Sequence, residues 1–237
     1  MTDFEGILFD KDGTLFDFEA TWTPWAEKFF LKMCDGDHAK AQQLGLVVGF
    51  NLDERSFDRD SVVIAGTPEE IVHALAPLFP DFPEAEIVGI MNEEATAAPM
   101  IETVPLVPFL TTLRERGLKL GVATNDAEAP AIAHVSAVGA EKLFDFICGS
   151  DSGYGGKPEA GQIIGFCQTM EISPSKVIMV GDSLHDLIAG QTAGCTTIGV
   201  LTGLATRDEL QPFADVVLEN IGEIPSWLDQ NETKSAD

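Results

Sequence analysis

The feature that most constrains this chain is a series of short apolar runs. The first stops abruptly at Asp10, and helix-like stretches separate the later ones. The runs cover residues 4–9 (FEGILF), 118–123 (LKLGVA), 144–148 (FDFIC), 177–180 (VIMV) and 197–200 (TIGV). Each reads as a short strand buried on both faces. Helical patterns lie at 105–116, 128–138, 159–170 and 184–193. This alternation predicts an α/β fold, a Rossmann-like parallel sheet with helices on both faces.

The first run is separated from the second by far more chain than a βα connection needs. The intervening stretch carries helical patterns at 23–34, 38–48, 68–78 and 84–97. Thr67-Pro68-Glu69-Glu70 places a capping residue, a proline at the first helical position and an acidic first turn in order. The chain is therefore expected to divide into a core, residues 1–15 and 101–237, and a helical cap domain, residues 16–100, inserted after the first strand. The tail from Asn231 is polar and expected to fray.

Charge narrows the partners. Lys and Arg number 14 against 39 Asp and Glu, a formal net charge of −25. The tightest basic grouping is only Arg114, Arg116 and Lys119. Such a surface repels phosphate backbones and anionic lipid, so neither nucleic acid nor a membrane surface is an expected partner. An anionic substrate would need a bound divalent cation and a few placed basic side chains. Cys34, Cys148, Cys167 and Cys195 show no zinc-type spacing and read as small buried residues of a reducing compartment. No run is long enough to span a membrane, and Asp3 and Glu5 do not suit an ordinary signal peptide. A cytoplasmic enzyme is expected.

Four strand ends carry polar residues for which a core has no use, and in an open parallel sheet they share one rim. Asp10-Lys11-Asp12-Gly13-Thr14 offers two carboxylates two residues apart, one to attack phosphorus and one to manage the leaving group's proton. Thr124-Asn125 can donate to a phosphoryl oxygen. Lys157, in Gly155-Gly156-Lys157-Pro158, can act as a fixed positive charge. Gly181-Asp182-Ser183-Leu184-His185-Asp186 brings two more carboxylates, suited to Mg²⁺. Each also fits a plainer reading: a strand-capping turn, a helix cap, a solvated lysine, a chance pair of acids. Their order and placement together favour chemistry.

At this point the chain resembles the haloacid dehalogenase-like hydrolase superfamily over nearly its whole length. The family pattern of DxDGT, Ser/Thr, Lys and GDxxxD stands here at Asp10, Thr124, Lys157 and Asp182. The ending LTGLATRDELQPFADVVLENIGEIPSWL resembles the phosphoglycolate phosphatase-like, helical-capped branch. The resemblance implies a Mg²⁺-dependent phosphatase acting on a small, phosphoglycolate-like phosphate monoester through an aspartyl-phosphate. Asp10 would be nucleophile and Asp12 general acid and base. Thr124, Asn125 and Lys157 would bind phosphate, and Asp10, Asp12, Asp182 and Asp186 would hold the metal. Dehalogenases of the superfamily lack the second acid, and phosphonatases carry a small residue there, so Asp12 favours a phosphatase or a phosphomutase of the β-phosphoglucomutase type. A non-catalytic homologue acting as a binding or regulatory protein is the remaining alternative. The implied partner is a small phosphorylated metabolite, and the implied assembly a monomer or homodimer.

Three features stand outside the motifs. His185 reads as a structural or supporting residue. Trp22, Trp25, Phe29 and Phe30 read as helix packing. Arg55, or failing that Arg59, in the polar segment NLDERSFDRD, is expected to contact the non-transferring end of the substrate, for example a carboxylate.

Overall fold

The computed structural model describes residues 4–80 and 82–234. Six strands form one parallel sheet: β1 (Gly6–Phe9), β2 (Lys119–Ala123), β3 (Phe146–Cys148), β4 (Val177–Gly181), β5 (Thr196–Val200) and β6 (Val216–Leu218). Their order is β3-β2-β1-β4-β5-β6. β1 therefore lies between β2 and β4, with Phe9 beside Val122 on one side and Val180 on the other. Every residue of β1 is buried, as a strand covered on both faces requires.

Helices cover both faces of this sheet. On one, α6 (Leu106–Glu115), α7 (Glu128–Ala137) and α11 (Ile224–Lys234) share an apolar cluster with the strands through Leu110, Val135 and Leu228. On the other, α8 (Gly161–Met170) and α9 (Leu184–Ala193) pack Phe166 and Ala189 against Leu8, Met179 and Cys148. A side chain the size of Phe166, fully buried, contributes roughly 2–3 kcal/mol. The short helix α10 (Arg207–Leu210) precedes the edge strand β6.

Between β1 and β2 lies a second cluster built from α1 (Phe18–Met33), α2 (His38–Val47), α3 (Val62–Ala65), α4 (Pro68–Leu75) and α5 (Glu84–Thr96). A two-stranded hairpin, Phe50–Asn51 with Ser56–Phe57, joins α2 to α3. This is the helical cap inserted after the first strand. Thr67 and Glu70 form the expected capping box at α4.

Several details differ from the sequence reading. α1 starts at Phe18 rather than 23, because Asp17 caps it by accepting from the Ala20 N–H at 2.8 Å. Pro24 lies inside that helix, where burial of Trp22, Trp25 and Phe29 outweighs one missing backbone hydrogen bond. The hairpin, α3 and β6 are additional, being too short to leave a periodic signal. Of the cysteines, Cys148, Cys167 and Cys195 are buried, whereas Cys34 is only half-buried. The tail from Asn231 continues α11 to Lys234, and residues 235–237 lie outside the described residues. No helix of the described residues is long and apolar enough to cross a membrane.

Candidate active site

Because β1 sits between β2 and β4, the residues following these three strands meet at one rim: Asp10, Thr124 and Asn125, and Asp182. Past Asp10 the chain folds back sharply. The Leu15 and Phe16 N–H groups donate to the Lys11 carbonyl, and Gly13 adopts a positive φ of 81°. A Cβ at Gly13 would stand 2.5 Å from Asp182 Oδ2, and one at Gly203 would stand 1.6 Å from the same oxygen. Glycine at both positions leaves the Asp182 carboxylate the space it occupies. Gly181 likewise admits Asp186, whose Cβ lies 2.2 Å from where a Cβ would be.

Lys157 stands at the centre. Its buried Nζ donates to Asp10 Oδ1 at 2.5 Å, Asp186 Oδ1 at 2.6 Å and the Ala123 carbonyl at 2.8 Å. Burial opposes its charge, but Asp10 and Asp186 outweigh burial and hold it firmly protonated. Asp186 Oδ2 accepts from the N–H and Oγ of Ser183, so both its oxygens are engaged. One carboxylate oxygen each from Asp10, Asp182 and Asp186 lies within 4.8 Å of the others. Burial, only partly offset by Lys157, raises Asp10 to about 7, with Asp186 and Asp12 adding to the effect. Burial and the Asp10 charge lift Asp182 well above the usual carboxylate range. Buried acids pressed together in this way are relieved by a divalent cation, and this cluster of carboxylate oxygens suits Mg²⁺.

A second charged layer lies behind the first. Lys11 is completely buried, with Nζ 2.6 Å from Asp12 Oδ2, 3.3 Å from Asp126 Oδ2 and 3.0 Å from His134 Nδ1. Asp12 Oδ1 is buried and unpartnered, the oxygen left over for a ligand. An ammonium can only donate, so His134 Nδ1 accepts, and its Nε2–H donates to the Ala95 carbonyl of the cap at 2.7 Å. Burial, helped by Lys11, depresses His134 to about 4. Burial, against the pull of Lys11, raises Asp126 to about 6. Sequence reasoning passed over Lys11, Asp126 and His134. The available signal was a lysine directly after a buried strand, between two acids, in DKDGT.

The family model described as haloacid dehalogenase-like hydrolase matches residues 7–200 of this chain. The chain belongs to that family. It is 26% identical over 245 residues to the phosphoglycolate phosphatase of Escherichia coli, covering 94% of this chain and 91% of that one. Its fold matches that of CbbY from Rhodobacter sphaeroides, solved with phosphate, at a TM-score of 0.69 and 22% identity over 94% of this chain and 96% of the other. It also matches β-phosphoglucomutase from Clostridium difficile at 0.68 and 15%, over 97% and 99%. Within the family the chain falls on the phosphoglycolate phosphatase-like branch.

The hydrolase has a cleft between core and cap, lined by Asp10, Asp12, Thr124, Asn125, Lys157, Asp182, His185 and Asp186 among others. The structure thus brings all the core motif residues together. Asn125 is placed differently from its expected phosphate-binding role. Its Nδ2 donates to the Ala65 and Lys157 carbonyls and its Oδ1 accepts from the Lys157 N–H, so the amide clamps the Lys157 turn to the cap. Arg55 and Arg59 are also corrected. Arg55 pairs with Glu27 and Arg59 with Glu209, both on exposed surface and neither in the cleft lining. A solvent-facing hairpin turn, with Arg55 at a positive φ of 55°, keeps Arg55 outside. The cap wall comes instead from residues a few positions later, in and just after α3. Trp22 and Trp25 pack within the cap as expected and also line the cleft, whereas Phe29 and Phe30 only pack.

Proposed function

We propose that this hydrolase is a Mg²⁺-dependent phosphatase that splits a small phosphate monoester through an aspartyl-phosphate on Asp10. The observation that carries the reading is the pairing of a buried Asp10, one oxygen held by Lys157, with an Asp12 whose Oδ1 has no partner. The free oxygen of Asp10 attacks phosphorus, and the phosphorus–alcohol oxygen bond breaks. Asp12 Oδ1 gives its proton to the departing alcohol. It then takes a proton from the water that attacks the acyl phosphate, which restores Asp10 and releases inorganic phosphate. Lys157 and the Thr124 hydroxyl hold the transferring phosphoryl group. Mg²⁺ would be held by Asp10, the Asp12 backbone carbonyl and Asp182, with Asp186 in support through Lys157 and Ser183. Bound there it would neutralise charge on the phosphoryl oxygens.

In this reading residues 16–100 form the cap and residues 1–15 and 101–237 the catalytic core. The partner is a small phosphorylated metabolite, and the setting is the cytoplasm, as a monomer or homodimer. Phosphate release from a panel of small esters, with Mg²⁺ and with EDTA, tests the reaction. A phosphatase frees inorganic phosphate in step with the alcohol, a phosphomutase returns an isomeric ester, and a binding protein does neither. Asp10→Asn should reduce release below about 1% of wild type with an unchanged circular dichroism spectrum, because an amide cannot form the acyl phosphate. Turnover retained in that variant would remove Asp10 as nucleophile.

A further inference from the structure

The two sides of the cleft differ in kind. The core contributes Asp10, Asp12, Asp126, Asp182 and Asp186 with Lys157, while the cap contributes Trp22, Trp25, Val63, Ile64, Ile71 and Met91. Among the described residues, Asn92 is the only amide or charged side chain that the cap adds to the lining. All five cap lysines and arginines are engaged elsewhere. Lys28 and Lys32 pair with Glu94, Lys40 with Asp37, Arg55 with Glu27 and Arg59 with Glu209. Lys157 already answers Asp10 and Asp186, and His185, the other basic side chain in the lining, shares the turn of Asp182 and Asp186.

A phosphoryl group at the core would meet Lys157 and the divalent cation that the carboxylates would hold. A second anion on the substrate would face a largely apolar wall that offers the Asn92 amide and the unpartnered Trp22 Nε1–H and no counter-charge. Burying an unpaired carboxylate against such a wall is strongly unfavourable, whereas burying a hydrocarbon or aromatic group there is favourable. On the strength of the phosphatase reading above, we propose that the substrate's alcohol portion is uncharged and predominantly apolar. It seats against Trp22, Ile64, Ile71 and Met91, and esters bearing a second anionic group, phosphoglycolate among them, are poor substrates. The carboxylate contact expected of Arg55 or Arg59 has no place in this cleft.

Benzyl phosphate and 4-carboxybenzyl phosphate form a matched pair, since their alcohols leave with similar ease and differ in one charge. With full-length protein, Mg²⁺ and about 0.15 M salt, kcat/KM for benzyl phosphate should exceed that for the carboxylated ester, and for phosphoglycolate, by about tenfold or more. Ile64→Arg places a cation at a half-buried position in the cap wall and should shift the benzyl ratio about tenfold toward the carboxylate. Equal or better turnover of the charged esters by wild type overturns the inference and leaves the phosphatase reading intact. An unchanged ratio in folded Ile64→Arg also overturns it. If Ile64→Arg does not fold, the wild-type ratio alone decides. No Mg²⁺-dependent phosphate release from any ester overturns the phosphatase reading, and the inference with it.

Discussion

A lysine with no exposed surface must be answered by its neighbours, and Lys11 is answered by Asp12, Asp126 and His134. Removing one partner from such a group leaves the others buried and unpaired, which costs on the order of 3–5 kcal/mol. Lys11→Met should therefore lower the urea unfolding free energy by about that much. It should also slow benzyl phosphate more than p-nitrophenyl phosphate, by about tenfold, because only the poor leaving group needs the proton that a positioned Asp12 delivers. Equal slowing of both would mean Lys11 holds structure alone. His134 gives a pH prediction. Unfolded, a histidine takes its proton near 6.5, but His134 folded takes it only near 4. As pH falls the unfolded chain binds that proton first, so the contribution of His134 is complete above about 6.5 and is lost between about 6.5 and 4. Its size is on the order of 3 kcal/mol. His134→Gln does not titrate, and the stability of wild type relative to it should fall with pH through that window. A pH-independent difference would contradict the buried neutral state.

At the scale of elements, the turns after β1, β4 and β5 act as one object, since Gly13 and Gly203 both press on Asp182. Asp182→Ala should move the midpoint of a Mg²⁺ titration upward at least about tenfold, as loss of a direct ligand does. Gly203→Ala should move it in the same direction although it removes no ligand, because its Cβ displaces the carboxylate. A wild-type midpoint in Asp182→Ala would exclude Asp182 as ligand. The elements also mark how far local pattern reaches. α9 was legible to the residue as 184–193, because a ten-residue helix repeats its apolar period. α1 was read late because Pro24 resembles a first-turn proline, while the decisive cap, Asp17, lies seven residues before it. The cap hairpin and β6 have two or three residues per strand, too few for a period, and exist because neighbours supply their hydrogen bonds.

At the scale of the whole molecule, the polar contacts between core and cap are of unequal weight. Asn125 to Ala65 and His134 to Ala95 are sheltered, while Arg59 to Glu209 is exposed. Asn125→Ala would strand buried backbone groups of the Lys157 turn, each costing about 1–3 kcal/mol, and kcat/KM should fall at least about tenfold. Arg59→Ala breaks a screened surface pair and an exposed hydrogen bond to the Leu204 carbonyl, so kcat/KM should change less than about twofold. Comparable losses in both variants would show that closure depends on the exposed pair.

The buried parallel sheet, the inserted cap and the meeting of Asp10, Asp12, Thr124, Lys157, Asp182 and Asp186 were legible in the sequence alone. Strand-end residues of a parallel sheet share a rim whatever else the chain does, so motif order is enough to assemble them. The roles of Lys11, Asn125 and His134, the outward turn of Arg55 and Arg59, and the apolar character of the cap wall belong to the tertiary structure. They depend on partners from other elements, often far along the chain, as Asn125 finds Ala65 and Arg59 finds Glu209. Charge near a motif says nothing of whether that charge is already spent, and only the folded chain brings in the carboxylate that spends it.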